Sequence, residues 1–375
     1  MSDLTWDDPA GGIVAIALPA SGTVATMRWW VAVMVVLAGV VALPPPAGAA
    51  ERRRVCQVRD DRLTELSGLV ATGSGYVVVN DGSDLAGHRK IFYLNARCAV
   101  VRTVSYPSRP RDTEDLGIAR DGTLWVADIG DNDAERGTVA LWRLAPGAKA
   151  PVLYRLSYPD GAHDAEALLL APSGTPVIVT KSVGAGGVYV PAGPLTAGRI
   201  TPLRRVGDVA LPVTTTSNPF SFGGRLLITG GAVSPDGRFA VLRTYADAFE
   251  FAVSGGDVVA AVTTGRARPV AMPDEPQGES VAYSADGTAL LTVSEGSDPV
   301  ILRYPLPGRA AVTSPAATRA SRGPSSSARP STSESARVAA AGHKGVLSFG
   351  RVVTGAILVA GALVLILTGA SRRRR

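Results

Sequence analysis

The chain has 375 residues, of which 38 are Lys or Arg and 32 are Asp or Glu, so its formal net charge is +6. The basic excess lies towards the ends, because residues 51–305 hold 26 of the basic and 28 of the acidic side chains and carry a net charge of −2. A nucleic-acid partner is therefore not expected, since the central part of the chain has no basic excess.

The N-terminal segment from Met27 is typical of a secretory signal peptide. Arg28 is followed by an apolar run to Leu43, and small residues and prolines then lead to Ala49. Residues 1–26 carry three acidic and no basic side chains, so we expect translation to start at Met27 and residues 1–49 to be leader and signal peptide. An uncleaved membrane anchor is the alternative.

Two cysteines, Cys56 and Cys98, follow the signal peptide. An even number of cysteines in an exported protein predicts one disulfide, because the compartment outside the cytoplasm is oxidising. Two buried free thiols are the alternative interpretation.

The centre of the chain repeats one pattern five times: a polar residue, an apolar run, a turn with glycine, and a second apolar run. The first residue precedes the turn glycine by eight positions in every copy, and successive glycines lie 49, 52, 63 and 50 residues apart. The copies begin at Glu65, Glu114, Glu166, Thr229 and Glu279. Further short β-rich runs follow each pair, including residues 258–263 as an outer strand of the fourth copy, so each repeat supplies about four strands. This periodicity predicts an all-β fold, a β-propeller, over residues 50–306.

The two ends of the propeller predict how it closes. The last copy has a third strand at Val300–Tyr304 but no fourth, whereas Arg54–Val58 is a strand candidate that belongs to no copy. We therefore expect these segments to share a blade, which a Cys56–Cys98 bridge would tie to the first blade. Five blades are favoured, and six are the alternative, because residues 190–228 are longer than one connection needs.

Beyond the propeller, composition predicts an anchored protein. Residues 307–345 are rich in Ser, Ala, Pro, Arg and Thr and are predicted to be a disordered stalk. Residues 346–371 contain a run without charge that is long enough for a transmembrane helix. The four arginines at 372–375 are expected in the cytoplasm. The predicted location is the cell membrane, with a single span and the propeller outside.

The repeats also predict where chemistry would lie. Inner strands of a propeller run in the same direction, so equivalent residues converge on one mouth of the channel. Carboxylates gathered there repel one another and need a cation or raised pKa values. With the acidic loop Asp128–Asp133, they predict a Ca²⁺ site. The predicted metal ligands are Glu65, Glu114, Asp128, Asp131, Glu166 and Glu279.

Three more residues are expected at this mouth, where the second strands end. Lys181, Arg243 and Glu295 are the predicted ligand contacts. The alternative interpretation of the repeated glutamates is structural: each would accept hydrogen bonds from backbone amides and lock its blade to the next.

His163 is the one candidate catalytic residue. It lies three residues before Glu166, whereas His-Glu-x-x-His, Gly-x-x-x-x-Gly-Lys and Gly-x-Ser-x-Gly motifs are absent from the sequence. A loop histidine that only forms hydrogen bonds is the alternative, so the sequence makes no prediction of an enzyme.

The repeats resemble those of phytase-like and related secreted bacterial β-propellers. The resemblance covers residues 60–305 and rests on four motifs: Glu114-Asp115-Leu-Gly-Ile, Asp128-Ile-Gly-Asp-Asn, Asp164-Ala-Glu166-Ala-Leu and Gln277-Gly-Glu279-Ser-Val-Ala-Tyr. It implies a phosphoester site supported by Ca²⁺, with Lys181 and Arg243 as phosphate contacts. The chain departs from the six-bladed members in having five copies, one of them without its glutamate.

Three functions follow, in order of preference. The first is a cell-surface propeller that binds an unknown small molecule or protein, with or without Ca²⁺, at an acidic mouth. The second is a phytase-like phosphoesterase. The third is a structural or protein-interaction module of the cell envelope.

Overall fold

Each repeat folds locally as two antiparallel strands around a turn that glycine closes. At Gly122 and Gly287 φ is +83° and +69°, a left-handed conformation that costs glycine little and other residues more. The aspartate before each glycine accepts the backbone N–H two residues on, from Thr123 to Asp121 at 2.9 Å and from Thr288 to Asp286 at 3.1 Å. These turns set the register of both strands.

The computed structural model describes residues 52–312. The predicted signal peptide, transmembrane helix and basic tail lie outside this range, as does most of the predicted stalk. Within it there are twenty strands, one α-helix and a single 3₁₀ turn. No helix between residues 52 and 312 has the length and apolar character needed to cross a membrane.

The strands form five four-stranded blades. The first strand of the chain is β1 (Arg53–Gln57). Blade 1 contains β2 (Leu66–Thr72), β3 (Gly75–Asn80), β4 (Lys90–Asn95) and β5 (Val100–Ser105). Blade 2 contains β6 (Asp115–Ile118), β7 (Leu124–Asp128), β8 (Val139–Leu144) and β9 (Val152–Ser157). Blade 3 contains β10 (Ala165–Leu170), β11 (Pro176–Thr180), β12 (Gly186–Pro191) and β13 (Ile200–Val209). Blade 4 contains β14 (Ile228–Val233), β15 (Phe239–Thr244), β16 (Asp247–Ala252) and β17 (Arg268–Ala271). Blade 5 contains β18 (Gly278–Tyr283), β19 (Ala289–Ser294), β20 (Val300–Pro305) and β1.

Blade 5 closes the propeller with strands from both ends of the described chain. Strand β1 pairs antiparallel with β20, with Arg53 opposite Arg303 and Gln57 opposite Val300. The innermost strand of blade 5, β18, packs against β2 of blade 1. The predicted five-bladed propeller and its shared last blade are both confirmed.

A disulfide fixes the closing strand. Cys56 in β1 is bonded to Cys98, which lies in the turn between β4 and β5 of blade 1. The predicted pairing is confirmed, and the two thiols are not free.

Residues 190–228, the segment long enough to allow a sixth blade, contain no additional blade. Strand β13 takes up its first part, and Ile200–Pro202 at its start pairs in parallel with Arg155–Ser157 of β9, which joins blades 2 and 3 edge to edge. The rest forms a connection with a 3₁₀ turn at Gly223–Arg225.

One predicted strand is a helix. Residues 258–263 were expected as an outer strand of blade 4, but α1 spans Val258–Thr264 and β17 forms the outer strand instead. The side chain of Asp257 caps the helix by accepting the N–H of Ala260 at 2.9 Å. Val258, Ala261 and Val262 are buried, which is a helical spacing that a run of β-branched residues concealed.

The hydrophobic core is divided among the interfaces between neighbouring blades. Each of the five interfaces has its own cluster of buried apolar side chains. Between blades 1 and 2, for example, Val79 and Leu116 pack with Trp142. Burial of one such side chain stabilises the fold by about 2 kcal/mol. The apolar stabilisation of the propeller therefore comes from the blade interfaces, and polar groups can occupy the channel.

Candidate metal centre at the channel mouth

The repeated glutamates lie at one end of the channel, where the inner strands begin. Glu114, Glu166 and Glu279 are 4%, 4% and 5% exposed, and Glu65 is half-buried. In blade 4 the equivalent residue, Thr229, donates a hydrogen bond to the carbonyl of Gly278 at 2.9 Å. The sequence therefore placed these positions at one mouth, but their side chains have different partners.

Within residues 52–312, three carboxylates lie close enough together to hold one metal ion: Asp81, Asp112 and Glu114. Only Glu114 belongs to the predicted metal set. One oxygen from each residue lies within 4.8 Å of the others. Asp81 follows β3, Asp112 lies in the connection between blades 1 and 2, and Glu114 immediately precedes β6. We call these three residues the carboxylate trio.

Burial and mutual repulsion perturb the trio strongly. Burial raises the pKa of all three groups above their ordinary values. The Asp112 carboxyl raises the pKa of Asp81 further, whereas a hydrogen bond with Asp81 lowers that of Asp112. Asp81 and Glu166 raise the pKa of Glu114. A bound cation would relieve the repulsion among these three crowded carboxyl groups and favour their charged forms.

Asp128 was predicted as a metal ligand, but its carboxylate is fully occupied by other partners. It pairs with the buried Arg136 guanidinium at 2.7 Å and accepts the Trp142 indole N–H at 3.1 Å. It also accepts the backbone N–H groups of Arg111 and Asp112, both at 3.1 Å. Asp128 therefore holds the backbone of Asp112 in place, and it does not belong to the carboxylate trio.

Asp131, the other predicted ligand of the acidic loop, also lies outside the trio. Its carboxylate accepts the backbone N–H groups of Glu135 at 3.0 Å and Arg136 at 2.8 Å, which folds the acidic loop onto itself. Its own N–H donates to Asp164 at 2.9 Å. Hydrogen bonds inside the loop account for this carboxylate without a metal.

Gly130 of the same loop lies directly against the trio. A methyl group there would overlap Glu114 Oε1 and would lie 2.6 Å from Asp112 Oδ2. A side chain at position 130 would therefore displace two of the three carboxylates.

The other side of the mouth is organised around Lys181. Its ammonium group forms an ion pair with Glu166 Oε1 and lies 5.6 Å from the centre of the Tyr245 ring. Burial lowers the pKa of Lys181, but Glu166, Tyr245 and Glu279 together more than offset this, so that the pKa is raised. The second oxygen of Glu166 is buried and has no hydrogen-bond partner among residues 52–312.

Glu279 and Glu295 share one amide. The Gln277 side chain donates to Glu279 at 3.2 Å and to Glu295 at 2.6 Å. Burial, followed by the Glu279 and Glu65 charges, raises the pKa of Glu295 to about 8. Glu65, Glu166 and Glu279 thus surround the mouth without joining the trio.

Arg243 was predicted as a ligand contact, but its side chain is 0% exposed. It bonds Glu275 at 3.2 Å and the Ser280 carbonyl at 2.9 Å, and Gly278 lies against its guanidinium group. It supports the start of β18, and its buried Nη2 has no hydrogen-bond partner among residues 52–312.

His163 lies in a separate cluster at the rim. Its Nε2 is 3.0 Å from Asp160 Oδ1 and 3.0 Å from the Tyr189 hydroxyl, and its ring packs edge-on against Tyr158. Within residues 52–312 it forms no hydrogen bond with a carboxylate of the trio. This placement gives no support to a catalytic role.

A buried carboxylate bridges the channel below the mouth. Asp115 is 0% exposed and accepts the backbone N–H of Leu168 at 2.8 Å in blade 3 and of Gly231 at 3.1 Å in blade 4. Because Asp115 belongs to blade 2, its side chain must cross the channel to contact the inner strands of blades 3 and 4 together. Asp115 therefore separates the mouth from the opposite end.

The sequence interpretation missed Asp112 and did not place Asp81 among the metal ligands. A signal existed for Asp112, which lies two residues before Glu114 in the same connection. For Asp81 the sequence shows only that the second strand of blade 1 ends beside it.

Comparisons with known proteins give limited information. No family model and no curated protein matches the sequence. A gluconolactonase from Xanthomonas campestris is 15% identical with a TM-score of 0.36, over 61% of this chain and 68% of its own. A putative gluconolactonase is 15% identical with a TM-score of 0.38, over 69% and 93% of the two chains. A luciferin-regenerating enzyme is 14% identical with a TM-score of 0.39, over 66% and 80%.

Such weak similarity carries no argument about activity. The assignment as a β-propeller rests on the strand topology of this chain. The comparisons give no support to the phytase-like part of the resemblance.

Proposed function

We propose that the propeller binds a divalent cation of the Ca²⁺ type through Asp81, Asp112 and Glu114, and through it a small polar ligand at the channel mouth. The observation that carries the proposal is the approach of three carboxylates within 4.8 Å. Within residues 52–312, no lysine, arginine or histidine forms an ion pair with any of the three.

The spacing of the trio suits one ion. Two oxygen atoms that each lie about 2.4 Å from a Ca²⁺ ion are at most about 4.8 Å apart. Ca²⁺ takes about six to eight oxygen ligands, so three carboxylates leave positions for water and for an oxygen of the ligand. The unpartnered second oxygen of Glu166 is a further buried acceptor at the same mouth.

The surroundings favour a ligand with an oxygen-rich end and an apolar face. Lys181 is close enough to lower the pKa of Glu114, so an oxygen bound to the cation would lie near its positive charge. Above Tyr245, the Phe220 ring lies 4.3 Å from the tyrosine ring and is 37% exposed. This aromatic pair offers the apolar contact.

The test is calorimetric titration of the purified protein with Ca²⁺, Mg²⁺ and Mn²⁺ after chelator treatment. Asp112→Asn keeps the size of the side chain and removes one ligand charge, so we expect cation affinity to fall at least tenfold. Asp61→Asn removes an exposed acid outside the mouth and should bind as the unchanged protein does. Equal binding by all three proteins would refute the site.

Phosphoester hydrolysis has weaker support than cation-mediated binding. Of its two expected phosphate contacts, Arg243 is buried and Lys181 is already paired with Glu166. Ligand binding is therefore our first hypothesis, and hydrolysis of a phosphoester in the presence of the bound cation would be a further property to measure.

We also propose that the propeller lies outside the cell, joined to the membrane by the predicted stalk and span. The disulfide supports export, because disulfides persist mainly in oxidising compartments. Protease added to intact cells should release a soluble propeller by cutting within residues 307–345. A propeller that stays protected until the cells are broken would reverse this topology.

A further inference from the structure

A cavity lies at the end of the channel opposite the mouth. It has a volume of about 760 Å³ and is lined by the last residues of the inner strands and by turns from all five blades. Volumes of this order accommodate small organic ligands. We call it the basal cavity.

The wall of the basal cavity combines an aliphatic patch with polar and charged side chains. Val70, Leu116, Leu168 and Leu170 line it, and Ile118 projects into it with 39% of its surface exposed. Asp115 bridges the channel above, so the cavity does not share the carboxylates of the trio.

Arg120 provides a positive charge at the rim of the basal cavity. Arg120 crosses from blade 2 to blade 4, where its guanidinium group donates to the Asp236 carbonyl at 2.8 Å. Among residues 52–312 it has no carboxylate partner, and most of its donors remain available. Arg143 also lines the cavity, but the nearby ionised Asp121 offsets its charge.

We propose that the basal cavity binds a single-chain amphiphile with an anionic head group, such as a fatty-acid-like molecule. The chain lies against Leu168, Leu170 and Ile118, where it removes apolar surface from water. The head group accepts hydrogen bonds from Arg120 at the rim. Because the cavity is a pocket with one charged edge, it fits one chain with one head better than it fits a flat membrane surface.

The test uses decanoate and decanol, each below its micelle-forming concentration, with the full chain. Trp125 lines the cavity, so its fluorescence reports binding, and calorimetry gives the affinity. Arg120→Gln should weaken decanoate binding about tenfold and leave decanol unchanged, because only the anion uses the guanidinium charge. Arg97→Gln, an exposed arginine that does not line the cavity, is the matched control.

A second variant tests the apolar wall. Ile118→Asp places a charge among the aliphatic side chains and should abolish binding of both probes without unfolding the protein, because position 118 is partly exposed. For the unchanged protein, each methylene added to the carboxylate probe should tighten binding about fourfold. The proposal is overturned if neither probe binds, if Arg120→Gln affects both probes equally, or if only lipid vesicles bind.

Discussion

Substitution of Gly130 by alanine tests the carboxylate trio without changing any of its members. The added methyl group would overlap Glu114 Oε1 and lie 2.6 Å from Asp112 Oδ2. An ordinary contact begins at 3.4 Å, so the Asp112 carboxylate must move by about 0.8 Å. Metal–ligand distances tolerate deviations of only about 0.2 Å. We therefore expect cation affinity to fall at least tenfold.

Gly137 of the same loop provides the matched control. A methyl group there meets nothing within 4 Å, and neither glycine has a positive φ, so both backbones accept alanine. Gly137→Ala should bind the cation normally and be slightly stabilised, by about 0.4–1 kcal/mol, through the unfolded chain. Calorimetric titration with Ca²⁺ and melting with and without chelator measure both effects. If Gly130→Ala binds as tightly as Gly137→Ala, the trio is not the cation site.

Three further changes have defined outcomes. Replacing Cys56 and Cys98 with serine opens a loop of 42 residues and should lower the free energy of unfolding by about 4 kcal/mol in denaturant titrations; an unchanged midpoint would contradict this. Without divalent cations, Glu295 keeps its proton in the folded state up to a pKa of about 8, so its contribution to stability is present at low pH and is lost as pH rises from about 4 to 8. Glu295→Gln should therefore show a smaller decline in melting temperature over that range, and an identical decline would refute the assignment. Glu166→Gln leaves the Lys181 ammonium without its partner and should destabilise the fold by about 3–5 kcal/mol with or without Ca²⁺, whereas a neutral effect would show that the pair is dispensable.

The fold was predictable because its determinants are local and repeated. The glycine of each copy closes a turn, the apolar runs on either side become the inner pair of strands, and five copies give five blades. The unpaired strand near Cys56 and the missing strand after Tyr304 identified the shared blade, since a propeller must close. Only the helix at Val258–Thr264 was misassigned, because its β-branched residues outweighed a single capping aspartate.

The site was less predictable because the role of a carboxylate depends on its partners. Asp128 and Asp131 have the residue type and the loop expected of metal ligands. Arg136 and several backbone N–H groups satisfy them instead, through contacts that depend on the folded loop. Asp112 lies two residues before Glu114, but Asp81 reaches Glu114 from a different connection, and no spacing in the sequence records that approach.

Charge balance, rather than the repeat, distinguishes the equivalent glutamates. Glu166 has Lys181 as its cation, and Glu279 has the amide of Gln277, so their burial is at least partly compensated. Glu114 has instead two more carboxyl groups within 4.8 Å. When the pKa of a carboxyl group is raised by one, the free energy of its charged form is less favourable by about 1.4 kcal/mol. If the glutamates only locked neighbouring blades together through hydrogen bonds from backbone amides, three carboxyl groups would not need to lie at one point. A divalent cation would turn the same crowding into a stabilising interaction, and for this reason the proposed function is centred on blades 1 and 2 rather than on the fivefold ring of inner strands.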